Sequence, residues 1–354
     1  MNITDKLKSY DPNAPGITSN NIFGLPFNVD EAKVVIIPIP WDATVSSKPG
    51  TCYGPAVIKE QSYQIDLFDP AAPDMWKNGI AMEDISEEIF KKNLELRFRV
   101  EKFVRNINEP VSHKADKLRN ETINTINEEY DAVLREFERK AIDYLDKNKL
   151  VVLIGGEHST SIALKRAIAK KYDNFGILQL DAHADLRDSY EGFRNSHASV
   201  MFNALKLDQL KQLVQVGVRD YCQEEVDVIK DNNDKIKLFD AKTLYSRLFN
   251  GISWSTICDE IINELPEKVY ISFDVDFLDP AECPNTGTPV PGGFSYEQSL
   301  FLIEKLVEKG KRIVGFDLVE TGQGEIDGIV SCRLLYRMIN SMLKSNKFVG
   351  NIDQ

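Results

Sequence analysis

Aspartate and histidine alternate in the segment DAHAD, which directly follows the apolar run ILQL. Asp181, His183 and Asp185 stand two residues apart, and in extended backbone this spacing turns all three side chains to one side. Carboxylate and imidazole groups that share one face are candidates for metal ligation and for proton transfer.

Two further apolar runs end in residues of the same kinds. His158 comes after LVVLIGG, and Asp274 and Asp276 come after VYISF. A single aspartate at a strand end is more often a helix cap than a ligand, but a group of six acids and imidazoles at one sheet edge would repel one another without a counter-charge. Such an oxygen-rich set with two histidines suits magnesium, manganese or iron better than zinc. It is large enough for two metal ions about 3.5 to 4 Å apart.

Four other polar residues have a less definite place. His197 follows the polar loop RDSYEGFRN, and its spacing fits a helix start and an acid–base role equally well. Glu320 follows the run RIVGFDLV and would project at the same edge, as a functional group, a helix cap or a surface acid. Asp317, inside that run, fits a structural hydrogen bond equally well. His113 lies in a charged helical region and is interpreted as a surface residue.

Apolar runs rich in valine and isoleucine alternate with segments of helical spacing along most of the chain. The runs predicted to be strands begin at Lys33, Leu150, Phe175, Leu213, Lys268 and Arg312. The clearest helical segments begin at Ser159, Ser253 and Ser295. Repeated alternation indicates right-handed βαβ units, and so an α/β fold of three layers with helices on both faces of a mostly parallel sheet.

Residues 85 to 149 depart from this alternation. They show no strand pattern, and apolar residues recur at intervals of three or four, at Ile123, Ile126, Tyr130, Val133, Phe137, Ala141 and Leu145. Pro110 separates two halves, so we expect two helices, or one helix and a connecting segment. This helical insert is either a layer packed on the sheet or a subunit contact. Because no repeat or Gly/Ser-rich linker occurs, we expect residues 1–354 to form a single domain.

Composition limits the partners and the compartment. The formal net charge of -12 argues against binding to nucleic acid or to anionic membranes, because both require a basic surface, and suits a cationic substrate or metal ions. The five cysteines are scattered and form no C-x-x-C pair, which favours a reducing compartment. The N-terminal segment has no apolar stretch, and the run VVIIPIPW is too short to span a bilayer. We therefore expect a cytoplasmic protein.

Several motifs resemble those of the ureohydrolase family, the arginases and agmatinases, which are binuclear manganese hydrolases. The matching segments are GGEHS at 155, DAHADLRDSYEG at 181, SFDVDFLDP at 272, NTGTPVPGG at 285, FDLVE at 316 and SSKPGTCYGPAVIKEQS from Ser46. They span most of the chain outside the insert. The resemblance implies an arginase-like fold, two divalent metal ions, for which we expect manganese with nickel as the alternative, and a homo-oligomer, either a trimer or a hexamer.

The resemblance also implies roles for individual residues. The six metal ligands would be His158, Asp181, His183, Asp185, Asp274 and Asp276. Asp185 would also orient the metal-bridging hydroxide that attacks the guanidinium carbon of the substrate. Glu320 would bind the guanidinium group, and His197 would contact the substrate and transfer a proton. Products would be urea and an amine.

The loop DLRDSYEGFRNSH is more like the corresponding loop of agmatinases than that of arginases. We therefore expect hydrolysis of agmatine to putrescine and urea. Guanidinobutyrate, guanidine, arginine and formiminoglutamate are the alternative substrates within the family.

The chain departs from the usual family pattern at two positions. Glu157 stands where the family more often has Asp, and Asn285 where it usually has Gly. Neither is a ligand position, so the departures concern the shape of the substrate loops.

Metallophosphoesterases also use a D-x-H motif, but their motifs follow another order. Retention of all six ligand positions argues against a non-catalytic scaffold.

Overall fold

The computed structural model of the protein describes residues 3–14, 16–18, 21–104 and 113–350. At its centre is one sheet of eight parallel strands. In chain order the strands are β1 (Val34–Ile39), β2 (Ile80–Met82), β3 (Leu150–Gly155), β4 (Phe175–Leu180), β5 (Leu210–Val216), β6 (Ile236–Phe239), β7 (Lys268–Asp274) and β8 (Arg312–Val319).

Helices cover both faces of this sheet. Those of the described residues are α1 (Ile3–Ser9), α2 (Gly54–Ser62), α3 (Glu87–Val104), α4 (His113–Asp146), α5 (Ile162–Lys171), α6 (Val200–Leu205), α7 (Gln223–Asp231), α8 (Ala241–Phe249), α9 (Trp254–Asn263), α10 (Tyr296–Glu308) and α11 (Glu325–Ser345). Two clusters of buried apolar side chains form the core, with alternate residues of β1 and β3 in each. The predicted α/β fold with a parallel sheet is confirmed.

All six predicted strands are present, and two further strands, β2 and β6, were not predicted. These two strands lie at the edges of the sheet, whose order is β2-β1-β3-β8-β7-β4-β5-β6. They are also the shortest strands, with three and four residues. Short edge strands carry little apolar periodicity, which is why the pattern did not show them.

The helical insert consists of α3 and α4, and no strand occurs among the described residues between 85 and 149. Six of the seven apolar positions of the α4 pattern are buried, and the seventh, Ile123, is partly exposed. The buried positions share a core cluster with β1, β3 and α5. The insert therefore packs on the sheet as a helical layer. Pro110 lies outside the described residues.

The long helices α4 and α11 are amphipathic or interrupted by polar residues. In the described part of the chain, no helix combines the length and the apolar character needed to cross a membrane.

Candidate metal centre

Four adjacent strands end at the candidate site. His158 opens a short 3-10 turn after β3, Asp181 follows β4, Asp274 closes β7, and Glu320 follows β8. These strands are neighbours in the centre of the sheet, in the order β3-β8-β7-β4. Because all of them are parallel, their carboxyl ends meet at one edge, and the four side chains converge there.

The first of two side-chain clusters surrounds the imidazole of His158. Its Nδ1 atom lies 3.0 Å from Oδ2 of Asp181, 2.9 Å from Oδ2 of Asp185 and 3.3 Å from Oδ2 of Asp274. All four side chains are buried. Three carboxylate oxygens and one ring nitrogen therefore face a common point.

The second cluster surrounds His183 and shares Asp181 with the first. Nδ1 of His183 lies 2.9 Å from Oδ2 of Asp276 and 3.6 Å from Oδ1 of Asp181. Asp181 thus turns one carboxylate oxygen to each histidine. A carboxylate placed in this way is able to bridge two cations.

Hydrogen bonds from backbone amides hold the carboxylates in these orientations. Oδ1 of Asp274 accepts from the Asp276 amide at 2.9 Å, and Oδ1 of Asp276 accepts from the Ala182 amide at 2.9 Å. Oδ1 of Asp181 accepts from the His183 amide at 2.6 Å. The first and third of these bonds lie within a single turn, and the bond from Ala182 to Asp276 joins the turns that follow β4 and β7, which are neighbours in the sheet.

The protonation of His158 follows from the buried groups behind it. Lys165, which can only donate, lies 3.0 Å from Oγ of Ser272 and 2.9 Å from Oδ2 of Asp317. The Ser272 hydroxyl donates to Oδ1 of Asp317 at 3.0 Å. Its oxygen must then accept from Nε2 of His158, 2.8 Å away. Nε2 carries a proton, and Nδ1 faces the three carboxylates; burial lowers the pKa of His158, but these carboxylates outweigh it and raise that pKa well above its usual range.

This arrangement fits a metal ion. Nδ1 of His158 is buried and has no hydrogen-bond partner among the described residues. A lone pair that faces carboxylate oxygens at about 3 Å is repulsive unless a cation lies between them. Neutral imidazole and carboxylate are also the ligand types that borderline and hard divalent ions prefer.

The pKa values of these groups show how strongly negative the site is. Burial lowers the pKa of His183, but the carboxylates of Asp276 and Asp181 outweigh it and raise that pKa to about 12. Burial, together with the charge of Asp181, raises the pKa of Asp185 to about 7. Like charges are thus packed closely enough to favour any bound cation.

Two residues of the site have a strained backbone. Asp185 and Glu320 have φ angles of 55° and 63°, in the left-handed region that residues other than glycine rarely occupy. Each such conformation costs about 1–3 kcal/mol and persists only where the surroundings impose it. The strain marks both positions as functional candidates.

Glu320 is buried beside the first cluster. Its Oε1 accepts from the backbone amide of His158 at 2.8 Å, and a Cβ atom on Gly287 would lie 3.1 Å from Oε2. Burial raises the pKa of Glu320 well above its usual range, and the charge of Glu157 adds to the effect. Any side chain larger than that of glycine at 287 would therefore crowd Oε2 of Glu320, which does not line the cavity described below.

His197 lies at the start of a 3-10 turn, across the site from Glu320. Its Nε2 is 3.2 Å from Oγ of Ser46, and its backbone amide donates to Oε2 of Glu157 at 3.0 Å. Burial, followed by the charges of His183 and His158, lowers the pKa of His197 to about 3. The imidazole is therefore neutral near pH 7.

A cavity of about 240 Å³ opens beside the second cluster. Its lining includes one residue of each cluster, Asp185 of the first and His183 of the second, together with His197 and residues of the loops after β1 and β4. The residues are Ser46, His183, Asp185, Arg187, Tyr190, His197, Ala198, Asp220, Tyr221, Cys222, Glu225 and Thr288. A small substrate in this cavity would reach the metal-ligand cluster.

Comparison with known proteins agrees with this geometry. Residues 32–323 match the sequence profile described as the arginase family. The chain belongs to the arginase family. Membership makes it a hydrolase of the C–N bonds of linear amidines.

The relatives of this arginase-family chain include N(1)-aminopropylagmatine ureohydrolases and agmatinases. An N(1)-aminopropylagmatine ureohydrolase of Thermus thermophilus is 31% identical over 313 residues, which cover 88% of this chain and 90% of the relative. An agmatinase of Bacillus cereus is 30% identical over 292 residues, 82% of this chain and 84% of the relative. The crystal structure of the agmatine ureohydrolase of Thermoplasma volcanium superposes with a TM-score of 0.66 at 25% identity, and covers 97% of this chain and 99% of that one.

The two departures from the family pattern both have structural partners. Glu157, buried, accepts from the backbone amide and the hydroxyl of Thr44 at 3.1 and 2.5 Å, and burial raises its pKa to about 7. Asn285 donates to both oxygens of Asp327, near the start of α11, at 2.8 and 2.9 Å. These residues brace the loops around the site of the arginase-family enzyme.

Sequence reasoning missed the residues behind the candidate ligands. Ser272 stands two residues before Asp274 in β7, and that spacing alone would have placed it on the same face. Lys165 lies between Ile162 and Ile168 on the buried face of α5, where a lysine is out of place unless it is paired. Asp317 makes the structural hydrogen bonds that its position suggested.

Proposed function

We propose that this arginase-family enzyme hydrolyses the guanidino group of agmatine, giving putrescine and urea, at a centre of two divalent metal ions. The observation that carries the proposal is the shared carboxylate of Asp181, whose oxygens face His158 and His183 at 3.0 and 3.6 Å. One ion would be held by His158, Asp181, Asp185 and Asp274. The other would be held by His183, Asp276 and the shared carboxylate of Asp181.

The donor set supports manganese, with nickel as the alternative, because it combines carboxylate oxygens with imidazole nitrogens and contains no thiolate. When bound, the ions act as Lewis acids and lower the pKa of water so that a nucleophile forms near pH 7. Asp185, whose strained backbone turns its carboxylate to the centre, would accept a hydrogen bond from the attacking water and orient it.

Glu320 would bind the flat guanidinium cation. Its Oε1 is already held by the His158 amide, so the carboxylate cannot rotate freely, and Oε2 faces Gly287, where a Cβ atom would crowd it. A guanidinium group gains from charge-assisted hydrogen bonds to a fixed carboxylate, and binding a cation also relieves the buried negative charge of the site.

His197 would move the proton. The imidazole would accept a proton from the attacking water and deliver one to the departing amine. The hydroxyl of Ser46, 3.2 Å from Nε2, orients the ring for that transfer. Water adds to the guanidinium carbon, the C–N bond to the amine breaks, and urea remains.

N(1)-aminopropylagmatine is the second candidate substrate. The Thermus thermophilus relative bears this name, and the exposed carboxylate of Asp220 at the mouth of the cavity suits a second amine on a longer tail. Both candidates share the guanidino group and the cationic tail. They differ only in how far the tail extends beyond the mouth.

The enzyme is proposed to act in the cytoplasm as a homo-oligomer, a trimer or hexamer, and as a single domain. All five cysteines are free thiols, which supports a reducing compartment. The continuous sheet, with buried apolar side chains on both faces, supports a single domain.

A substrate panel tests the proposal. Protein loaded with Mn²⁺ or Ni²⁺ is incubated with agmatine, N(1)-aminopropylagmatine, guanidinobutyrate, guanidine, arginine and formiminoglutamate, and urea or formamide is measured. We expect the largest kcat/KM for agmatine. If another guanidino compound is preferred, the substrate assignment is wrong; if none reacts, a non-catalytic scaffold explains the chain better.

A further inference from the structure

We propose that the helical insert positions two of the loops that line the active-site cavity, with Asn127 and Asp131 of α4 as the positioning residues for the loop that follows β4. The inference rests on the proposed function. The first loop (residues 41–53) follows β1 and supplies Ser46, and the second loop (residues 186–197) follows β4 and supplies Arg187 and Tyr190 to the cavity.

Two side chains of α4 bind the second loop at three residues, Gly192, Arg194 and Asn195. Nδ2 of Asn127 donates to the Gly192 carbonyl at 3.1 Å, and its Oδ1 accepts from the Arg194 amide at 3.0 Å. Oδ1 of Asp131 accepts from Nδ2 of Asn195 at 2.6 Å, and its Oδ2 lies 3.0 Å from Nη2 of Arg194. Asn127 is 4% exposed, so its two bonds compete little with water.

The second loop also packs closely on the helix. Gly192 has a φ angle of 89°, and a Cβ atom there would lie 2.9 Å from Cδ1 of Ile123 on α4. Only glycine meets both conditions, a left-handed backbone and close contact with the helix. The loop is therefore shaped to rest on α4.

Helix α3 holds the first loop in a similar way. Oδ1 of Asn93 accepts from the Asp42 amide at 2.7 Å, and Nδ2 of Asn93 donates to the Asp42 carboxylate at 2.9 Å. Arg97 donates to the carbonyls of Val45 and Ser47, which flank Ser46. The position of the hydroxyl beside His197 thus depends on α3.

The first and second loops contact each other near His197. The hydroxyl of Thr44 in the first loop contacts both Glu157 and the carbonyl of Asn195 in the second loop, at 2.5 and 3.2 Å. The insert makes none of its described polar contacts with the six candidate metal ligands. Loss of a contact with α4 should therefore change the fit of the substrate and leave metal binding intact.

The experiment compares Asn127→Ala, Asp131→Ala and the double variant with two controls. Asp131→Asn keeps an oxygen that accepts from Asn195, and Glu128→Ala removes an exposed acid from the same helix without touching either loop. Metal content, melting temperature, kcat and KM for the preferred guanidino substrate, and backbone amide exchange of residues 186–197 are measured for each metal-loaded protein.

We expect amide exchange in residues 186–197 to rise about ten- to a hundredfold in the double variant, since all four hydrogen bonds between these side chains and the loop are lost. KM should rise more than kcat falls, two metal ions should stay bound, and Asp131→Asn and Glu128→Ala should resemble the wild type. Unchanged exchange and kinetics would overturn the proposal, and so would loss of metal together with activity. If the wild type hydrolyses no guanidino compound, the proposed function fails, while the exchange measurement still decides the positioning role.

Discussion

Replacement of Lys165 by methionine should separate metal affinity from fold stability. Lys165 is fully buried and donates to Ser161, Ser272 and Asp317, and the Ser272 hydroxyl in turn contacts Nε2 of His158. Methionine fills nearly the same volume but leaves the Asp317 carboxylate buried without its nearest cation. Breaking a buried ion pair in this way costs about 3–5 kcal/mol in the free energy of unfolding.

The same change should weaken metal binding. Without the ammonium group, Ser272 and Asp317 both lose the donor that fixes their positions, so the serine that contacts Nε2 of His158 is held less firmly. Loss of a group that orients a histidine ligand typically lowers metal affinity about 10- to 100-fold. The metal-free protein should thus be less stable, and the loaded protein should release metal to a weaker chelator.

Urea unfolding of the metal-free protein and Mn²⁺ competition with a chelator measure the two effects. Lys170→Met, on the exposed side of α5 with its side chain 63% exposed, is the matched control and should change stability by less than about 1 kcal/mol. The double variant Lys165→Met/Asp317→Leu should recover most of the stability but not the metal affinity. A Lys165→Met protein with wild-type unfolding and wild-type Mn²⁺ affinity would refute the reasoning.

Three shorter predictions concern the site itself. His183→Ala should lose metal from the second cluster and at least a hundredfold in kcat, which plasma emission analysis and a urea assay would show; full occupancy by two ions would contradict its role. Glu320→Gln keeps shape and metal but loses the charge for guanidinium, so kcat/KM should fall at least about a hundredfold, equal to about 2.8 kcal/mol; normal turnover would exclude Glu320 from substrate binding. The pKa of His197 is about 3 in the fold and about 6.5 in the unfolded chain, so the unfolded state binds more protons between these values. Its contribution to stability is therefore complete above about pH 6.5 and is lost as the pH falls toward 3. Urea unfolding at pH 7.5 and at pH 5 should show that the wild type is less stable, relative to His197→Asn, at the lower pH. A wild type that is relatively more stable at pH 5 would contradict the buried neutral imidazole.

Much of the fold was predictable because buried parallel strands leave a strong signal. The runs that became β3, β4, β7 and β8 are fully or almost fully buried, and their residues are apolar nearly throughout. The edge strands β2 and β6 escaped because pairing on one side, over three or four residues, imposes little pattern. The insert was predicted as helical, but its packing depended on which apolar faces met.

The grouping of the candidate ligands was predictable because they directly follow strands. Parallel strands put such residues at one edge whatever their order in the sheet, so His158 and Asp274 could be joined without knowing the topology. The groups that orient them were not predictable in the same way. Lys165 reaches the site through α5, and Thr44 and Asn127 act on loops, and these contacts depend on how helices and loops pack over the sheet.

The shape of the cavity wall was likewise beyond the reach of the sequence. The guanidinium group of Arg187 lies over the ring of Tyr190, 4.8 Å from its centre, and Tyr190 pairs with Phe193 across a tight turn. The left-handed backbone of Glu191 and Gly192 sets that turn, and α4 supports it. These contacts depend on the packing of the folded chain and left no pattern in the sequence.

The electron paramagnetic resonance spectrum of the Mn²⁺-loaded protein tests the central claim most directly. If the carboxylate of Asp181 joins the two clusters, two Mn²⁺ ions bind per chain within about 4 Å of each other, and the spectrum is that of an exchange-coupled pair. A spectrum of isolated Mn²⁺ ions at saturating metal would contradict a binuclear centre in this protein.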